Sequence, residues 1–193
     1  MESSILTNLK ALEIAPGEST NESLQERERR KYQERRKQRR FYIFLDYSNF
    51  LGALESEEQF FEELKNLENE IVKVGTIEFA SAYIPSNRFN EAPIMFLSNV
   101  LDYEIIGCSL QTSGGVLKNA DTVDMKMERK IWAMMFNSNV TDFVIITGDA
   151  DFQPGTVWIG RHQKKVLILS GKRALSTRYR QLEGLDNITI KEV

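Results

Sequence analysis

From Phe41 onward, short apolar runs rich in β-branched residues alternate with longer segments whose apolar residues recur at helical spacing. That alternation confines the chain to βαβ units wound about a parallel sheet, because parallel neighbours need a crossover long enough to hold a helix. Strands are predicted at 41–45, 77–84, 104–110, 143–147 and 165–169, with a sixth candidate at 188–190. Helices are predicted at 57–73, 91–103, 121–136 and 154–163. In the first of these, Phe60, Phe61, Leu64, Leu67, Ile71 and Val72 form one apolar stripe against a face of Glu and Lys. The fold class is therefore α/β, with a central, mostly parallel sheet of five or six strands. A chain of 193 residues suits one such domain, read here as 41–193 and preceded by a leader at 1–40.

The strand at 143–147 stops abruptly at Gly148-Asp149-Ala-Asp151. Val144, Ile145 and Ile146 are apolar on both strand faces, as an interior strand requires, so the two carboxylates stand at the carboxyl end of a buried strand. Ligands of open α/β sheets bind at that edge. Asp46 and Asn49 follow the first strand in the same way, and Asp121 and Asp124 open the helix at 121–136 at i,i+3 spacing. Each acid alone has a plainer reading. Asp151 would cap the following helix, with Pro154 in its first turn, and an acid at the start of a helix complements the dipole. Together, Asp46, Asp121, Asp149 and Asp151 fall on one edge of a right-handed parallel sheet, where their mutual repulsion calls for a cation. All-oxygen ligands suit Mg²⁺ or Mn²⁺, and a single histidine with a single cysteine argues against zinc. Such an ion serves phosphate chemistry, by activating water and stabilising an in-line transition state.

The net charge of −3 is unevenly spread. The segment 24–40 holds nine basic residues against three glutamates, net +6, while 41–193 is acidic. It consists of helix formers without an apolar stripe, so two readings stand: a charged lead-in that keeps the chain soluble, or a contact for a phosphate backbone through residues such as Arg35, Arg36, Arg39 and Arg40. Lys118 meets substrate phosphate or offsets the acids. Cys108, the one cysteine, lies in an apolar run and is expected to be a buried thiol in a reducing, cytoplasmic protein. No apolar run reaches membrane-spanning length and no signal-peptide layout opens the chain, so no membrane partner is expected. Trp132, Met134, Met135, Phe136 and Trp158 are expected in the core.

Asp46-x-x-Asn49, Lys118-x-x-Asp121 and Thr-Gly-Asp149-x-Asp151-Phe, in that order, resemble the motifs of the NYN domain family, in the LabA-like branch of the PIN-like nucleases. The resemblance covers roughly residues 41 to 170. It implies a three-layer α/β/α domain and a metal-dependent endoribonuclease, with Asp46, Asp121, Asp149 and Asp151 as metal-centred acids and Asn49 as a polar partner. Many relatives carry a further acid about six residues after the position of Asp121; here that residue is Met127. Asp124 either compensates or faces solvent. The departure keeps a second reading open, a catalytically weak or inactive RNA-binding or regulatory module acting through partners, and a homodimer is compatible with either. A phosphoacceptor receiver domain also gathers acids at a strand edge, but its acceptor would end the third strand, where 109–112 reads Ser-Leu-Gln-Thr.

Overall fold

The five residues from Asp142 to Ile146 are all buried, and such a strand needs neighbours on both edges and helices on both faces. The computed structural model, which describes Glu26 and residues 39–109, 111–113, 116–118 and 120–193, has both. The chain divides into two units, 1–37 and 38–193, and every element below belongs to the second. In order these are β1 (Arg39–Asp46), α1 (Tyr47–Ala53), α2 (Glu57–Val72), β2 (Gly75–Pro85), α3 (Ala92–Asn99), β3 (Glu104–Cys108), β4 (Gln111–Ser113), β5 (Val116–Lys118), α4 (Ala120–Met135), β6 (Asp142–Ile146), α5 (Gln153–Arg161), β7 (Lys165–Ser170), α6 (Thr177–Arg180) and β8 (Ile188–Glu192).

Six strands form one all-parallel sheet in the order β3-β2-β1-β6-β7-β8, and β4 and β5 make a separate antiparallel hairpin. The winding direction reverses between β1 and β6. At such a reversal the connections leave in opposite directions, which opens a crevice beyond the carboxyl ends of the two strands. The strand predicted at 104–110 ends at Cys108, because the chain turns into the hairpin. The sixth candidate strand is β8, in parallel register with β7.

Alternation along the strands builds the two apolar layers. Ile43 and Leu45 of β1, with Val144 and Ile146 of β6, pack against Phe60, Leu64, Leu67 and Ile71 of α2. Ser56 starts that helix, its hydroxyl accepting from Gln59 N at 3.2 Å, with Glu57 and Glu58 in the first turn. On the opposite face, Phe44 stacks on Phe143 with ring centroids 6.0 Å apart, over Val123, Met127, Ile131 and Met135 of α4. These four recur every fourth residue, so Met127 belongs to the buried stripe of its helix. Cys108 is buried in the same layer. Two expected core residues are not in it: Phe136 is 71% exposed and Trp158 45%. Both lie on the outer surface of the α4–α5 layer, where helical spacing marks a seam between helices as readily as a buried face. Among the described residues no helix is long and apolar enough to cross a membrane.

Candidate functional site

β1 and β6 run side by side with Leu45 opposite Ile146, so Asp46 and Thr147 leave the sheet together. Thr147 Oγ1 donates to Asp46 Oδ2 at 3.2 Å, and Asp46 Oδ1 caps α1 by accepting from Asn49 N at 3.2 Å. Asn49 then reaches across the reversal point, its Oδ1 accepting from Gly148 N at 2.7 Å. Gly148 is required by close approach: a Cβ there would lie 2.2 Å from the Ala174 carbonyl oxygen and 2.6 Å from Ser170 Oγ. The turn needs no left-handed backbone at this residue, whose φ is not positive. Asp149 N donates to Thr147 Oγ1 at 3.1 Å, and Asp149 Oδ1 accepts from Asp151 N at 3.0 Å, capping the 3-10 turn Ala150–Phe152. The cap is thus Asp149. Asp151, expected by its plainer reading to cap the following helix, leaves its side chain exposed, and α5 has no side-chain cap at all.

A cleft of about 270 Å³ opens here, lined by Asp46, Ser48, Asn49, Asp124 and Asp149 among others. One carboxylate oxygen from each of Asp124, Asp149 and Asp151 lies within 4.8 Å of the other two. Opposite ligands of a six-coordinate hard ion stand about 4.2 Å apart, so small side-chain adjustments let the three share one cation. A family model described as NYN domain matches residues 40–182. The chain belongs to the NYN domain family. That places it in the PIN-like nuclease superfamily, whose NYN members are generally divalent-metal dependent and typically bind nucleic acid. In fold the domain is similar to the crystal structure of VPA0982, a protein of unknown function from Vibrio parahaemolyticus, with a TM-score of 0.56 and 18% identity over 80% of this chain and 93% of that one. No match is found among curated proteins.

The electrostatics of this NYN domain favour an added positive charge. Asp46 is 5% exposed; burial pushes its pKa up to about 6 against the hydrogen bonds from Asn49 and Thr147, and the charge of Asp149 raises it further. Among the described residues no lysine or arginine forms an ion pair with Asp46, Asp149 or Asp151. Ser48 Oγ, on a cleft-lining residue, is buried without a hydrogen-bond partner there. A hard, oxygen-seeking cation with its waters fits this donor set.

Of the residues singled out by sequence, the structure brings Asp149 and Asp151 together with Asp124, which faces the cleft rather than standing apart from it, while Asp46 and Asn49 line the same cleft outside that close group. Asp121 lies in the first turn of α4 and Lys118 pairs with Gln111 on the hairpin; the side chains of both fall outside the described residues, as do Arg35 and Arg36 altogether. Arg39 and Arg40 begin β1, roughly 23 Å and 20 Å from Asp46 along an extended strand, so they stand at the opposite edge of the sheet. Two residues near the acids escaped the sequence reading. Ser48 had a signal, its place between Asp46 and Asn49, whereas Tyr179 of the four-residue α6 had none. Burial is the first cause that raises the Tyr179 pKa, and the charges of Asp149, Asp151 and Asp46 add to it.

Proposed function

We propose that this NYN domain is a divalent-metal-dependent ribonuclease of the LabA-like branch, hydrolysing RNA phosphodiester bonds with Mg²⁺ or Mn²⁺. The observation that carries the reading is the convergence of Asp124, Asp149 and Asp151 within 4.8 Å at the crevice of the sheet. These three would hold the ion, with Asp121 retained from the sequence motif as a further ligand. When bound, the ion supplies a Lewis acid for the phosphoryl oxygens and lowers the pKa of a bound water. Asp46 holds the floor of the cleft negative once ionised. Asn49, by accepting from Gly148 N, fixes the turn that carries Asp149. Thr147 ties Asp46 to the backbone of Asp149, so the two acids keep their spacing.

The test compares RNA cleavage by the wild type with Mg²⁺ or Mn²⁺, the wild type in excess EDTA, and Asp149→Asn. Activity that depends on the metal and falls steeply in the variant supports the reading; equal cleavage in all three refutes it. A second reading rests on Met127, which occupies the buried stripe of α4 where many relatives carry an acid. On that reading the domain binds RNA without cutting it. Retained RNA binding with no divalent ion bound at millimolar concentration would favour it.

A further inference from the structure

The outer surface of the α4–α5 layer carries an aromatic seam that the acid cleft does not use. Trp132 of α4 meets Trp158 of α5 with ring centroids 6.1 Å apart. His162, at the end of α5, lies 5.8 Å from both Trp158 and Phe136, and Arg161 sits 5.9 Å from the Trp158 ring centre. Arg129, three residues before Trp132 on the same helix, is exposed. Phe136, Trp158, Arg161 and His162 are exposed as well. Trp132 packs in part against the core, but burial does not explain the exposed rings of Phe136 and Trp158, since aromatic faces left in water beside guanidinium groups give up their hydrophobic gain.

We infer that the seam is a stacking platform for the unpaired bases of a single-stranded RNA whose backbone continues into the acid cleft, an inference that rests on the ribonuclease reading for its direction. Every base offers a π-face, so aromatic side chains interleaved with cations hold single strands with little sequence preference. Trp132 Nε1 donates to Glu128 Oε1 at 3.3 Å, so the seam carries one carboxylate against the guanidinium groups of Arg129 and Arg161, and this excess of positive charge favours a phosphate backbone over a second copy of the chain. Geometry links the platform to the cleft. Asp124 lines the cleft near the start of α4, and a helix rises about 1.5 Å per residue, so Trp132 lies roughly 12 Å and Phe136 roughly 18 Å away along its axis. A stacked strand that rises about 3.4 Å per nucleotide spans this in about four or five nucleotides.

The chain has two tryptophans, and both stand in the seam, so emission excited selectively from tryptophan reports on this surface alone. The experiment titrates the full chain, in EDTA, with a single-stranded RNA of about twelve nucleotides and with its duplex, and measures cleavage of the single strand separately in Mg²⁺. Saturable quenching by the single strand but not by the duplex is expected. Phe136→Ala and Arg161→Ala, both at exposed positions, should weaken it about five- to a hundredfold while leaving cleavage of a trinucleotide unchanged. Absence of quenching by an RNA that the protein does cleave overturns the platform and leaves the ribonuclease reading standing. Quenching without cleavage in Mg²⁺ supports the platform and counts against the ribonuclease. A concentration-dependent dimer that Phe136→Ala dissolves, with no RNA-induced quenching, shows that the seam pairs copies of the chain and overturns the inference.

Discussion

The two edges of the sheet treat a buried aspartate in opposite ways. At the amino edge Asp142 is 3% exposed, but Arg39 donates to its Oδ1 through Nε at 3.1 Å and through Nη2, and Thr141 donates to its Oδ2 at 2.7 Å. The pair is so well matched that the carboxylate raises the pKa of the Arg39 guanidinium above its ordinary value. At the carboxyl edge Asp46 is almost as deeply buried, receives two neutral hydrogen bonds from the described residues, and has Asp149 beside it. A buried charge is tolerated when it is paired. One edge is paired within the chain, and at the other no lysine or arginine among the described residues pairs with the acids.

The largest way to break this contrast is Asp149→Asn. Loss of one carboxylate from the acid group should lower metal-dependent RNA cleavage about a hundred- to a thousandfold, a magnitude typical of removing one preorganised electrostatic contact, while thermal unfolding without metal shows no loss of stability. The next is Asp46→Asn, read as a stability profile in EDTA. Because the folded-state pKa of Asp46 is raised to about 6, the folded protein binds the proton more tightly than the unfolded chain, so the wild type loses stability as pH rises from about 4 through 6. The asparagine variant does not titrate. It should therefore gain stability above pH 6, by less than the roughly 3 kcal/mol that two pKa units represent, and gain nothing from this source below about pH 4. A variant that is no more stable at pH 8 than at pH 4, relative to wild type, would show that Asp46 is not a strained acid.

Arg39→Ala attacks the completed edge instead. It leaves Asp142 buried and unpaired, and because the arginine side chain is 41% exposed the cost is expected at about 1 to 2 kcal/mol rather than the 3 to 5 of a fully buried pair. Denaturant unfolding measures it, and cleavage of a trinucleotide should not change. The smallest effect belongs to Phe136→Ala, whose stability should stay within about 0.5 kcal/mol of wild type; a larger loss would mean that the ring packs against the fold rather than standing free on the seam.

Much of this contrast is legible in the chain alone, for a physical reason. A buried parallel strand is a continuous apolar run, so β1, β6 and β7 announce themselves, and the acids that follow β1 and β6 need no tertiary information to be noticed. The Arg39–Asp142 pair joins residues 103 apart in sequence, and no local pattern distinguishes it from a basic segment that happens to reach a strand. α1 is missed because seven residues held by the Asp46 cap are too few to show a period. The hairpin β4–β5 is missed because three-residue strands have no alternation to read. Phe136 and Trp158 mislead because spacing tells which face a residue is on but not whether another helix covers that face. At Gly148 the residue type is right for a reason the chain does not display, the carbonyl of Ala174 standing where a Cβ would have to go.

The proposal that a cation binds at the carboxyl edge is tested most directly by calorimetric titration of the metal-free protein with Mn²⁺. Saturable binding by the wild type that Asp149→Asn abolishes, and that Arg39→Ala leaves intact, is the predicted result. No binding at millimolar Mn²⁺, or binding indifferent to Asp149→Asn, would contradict it.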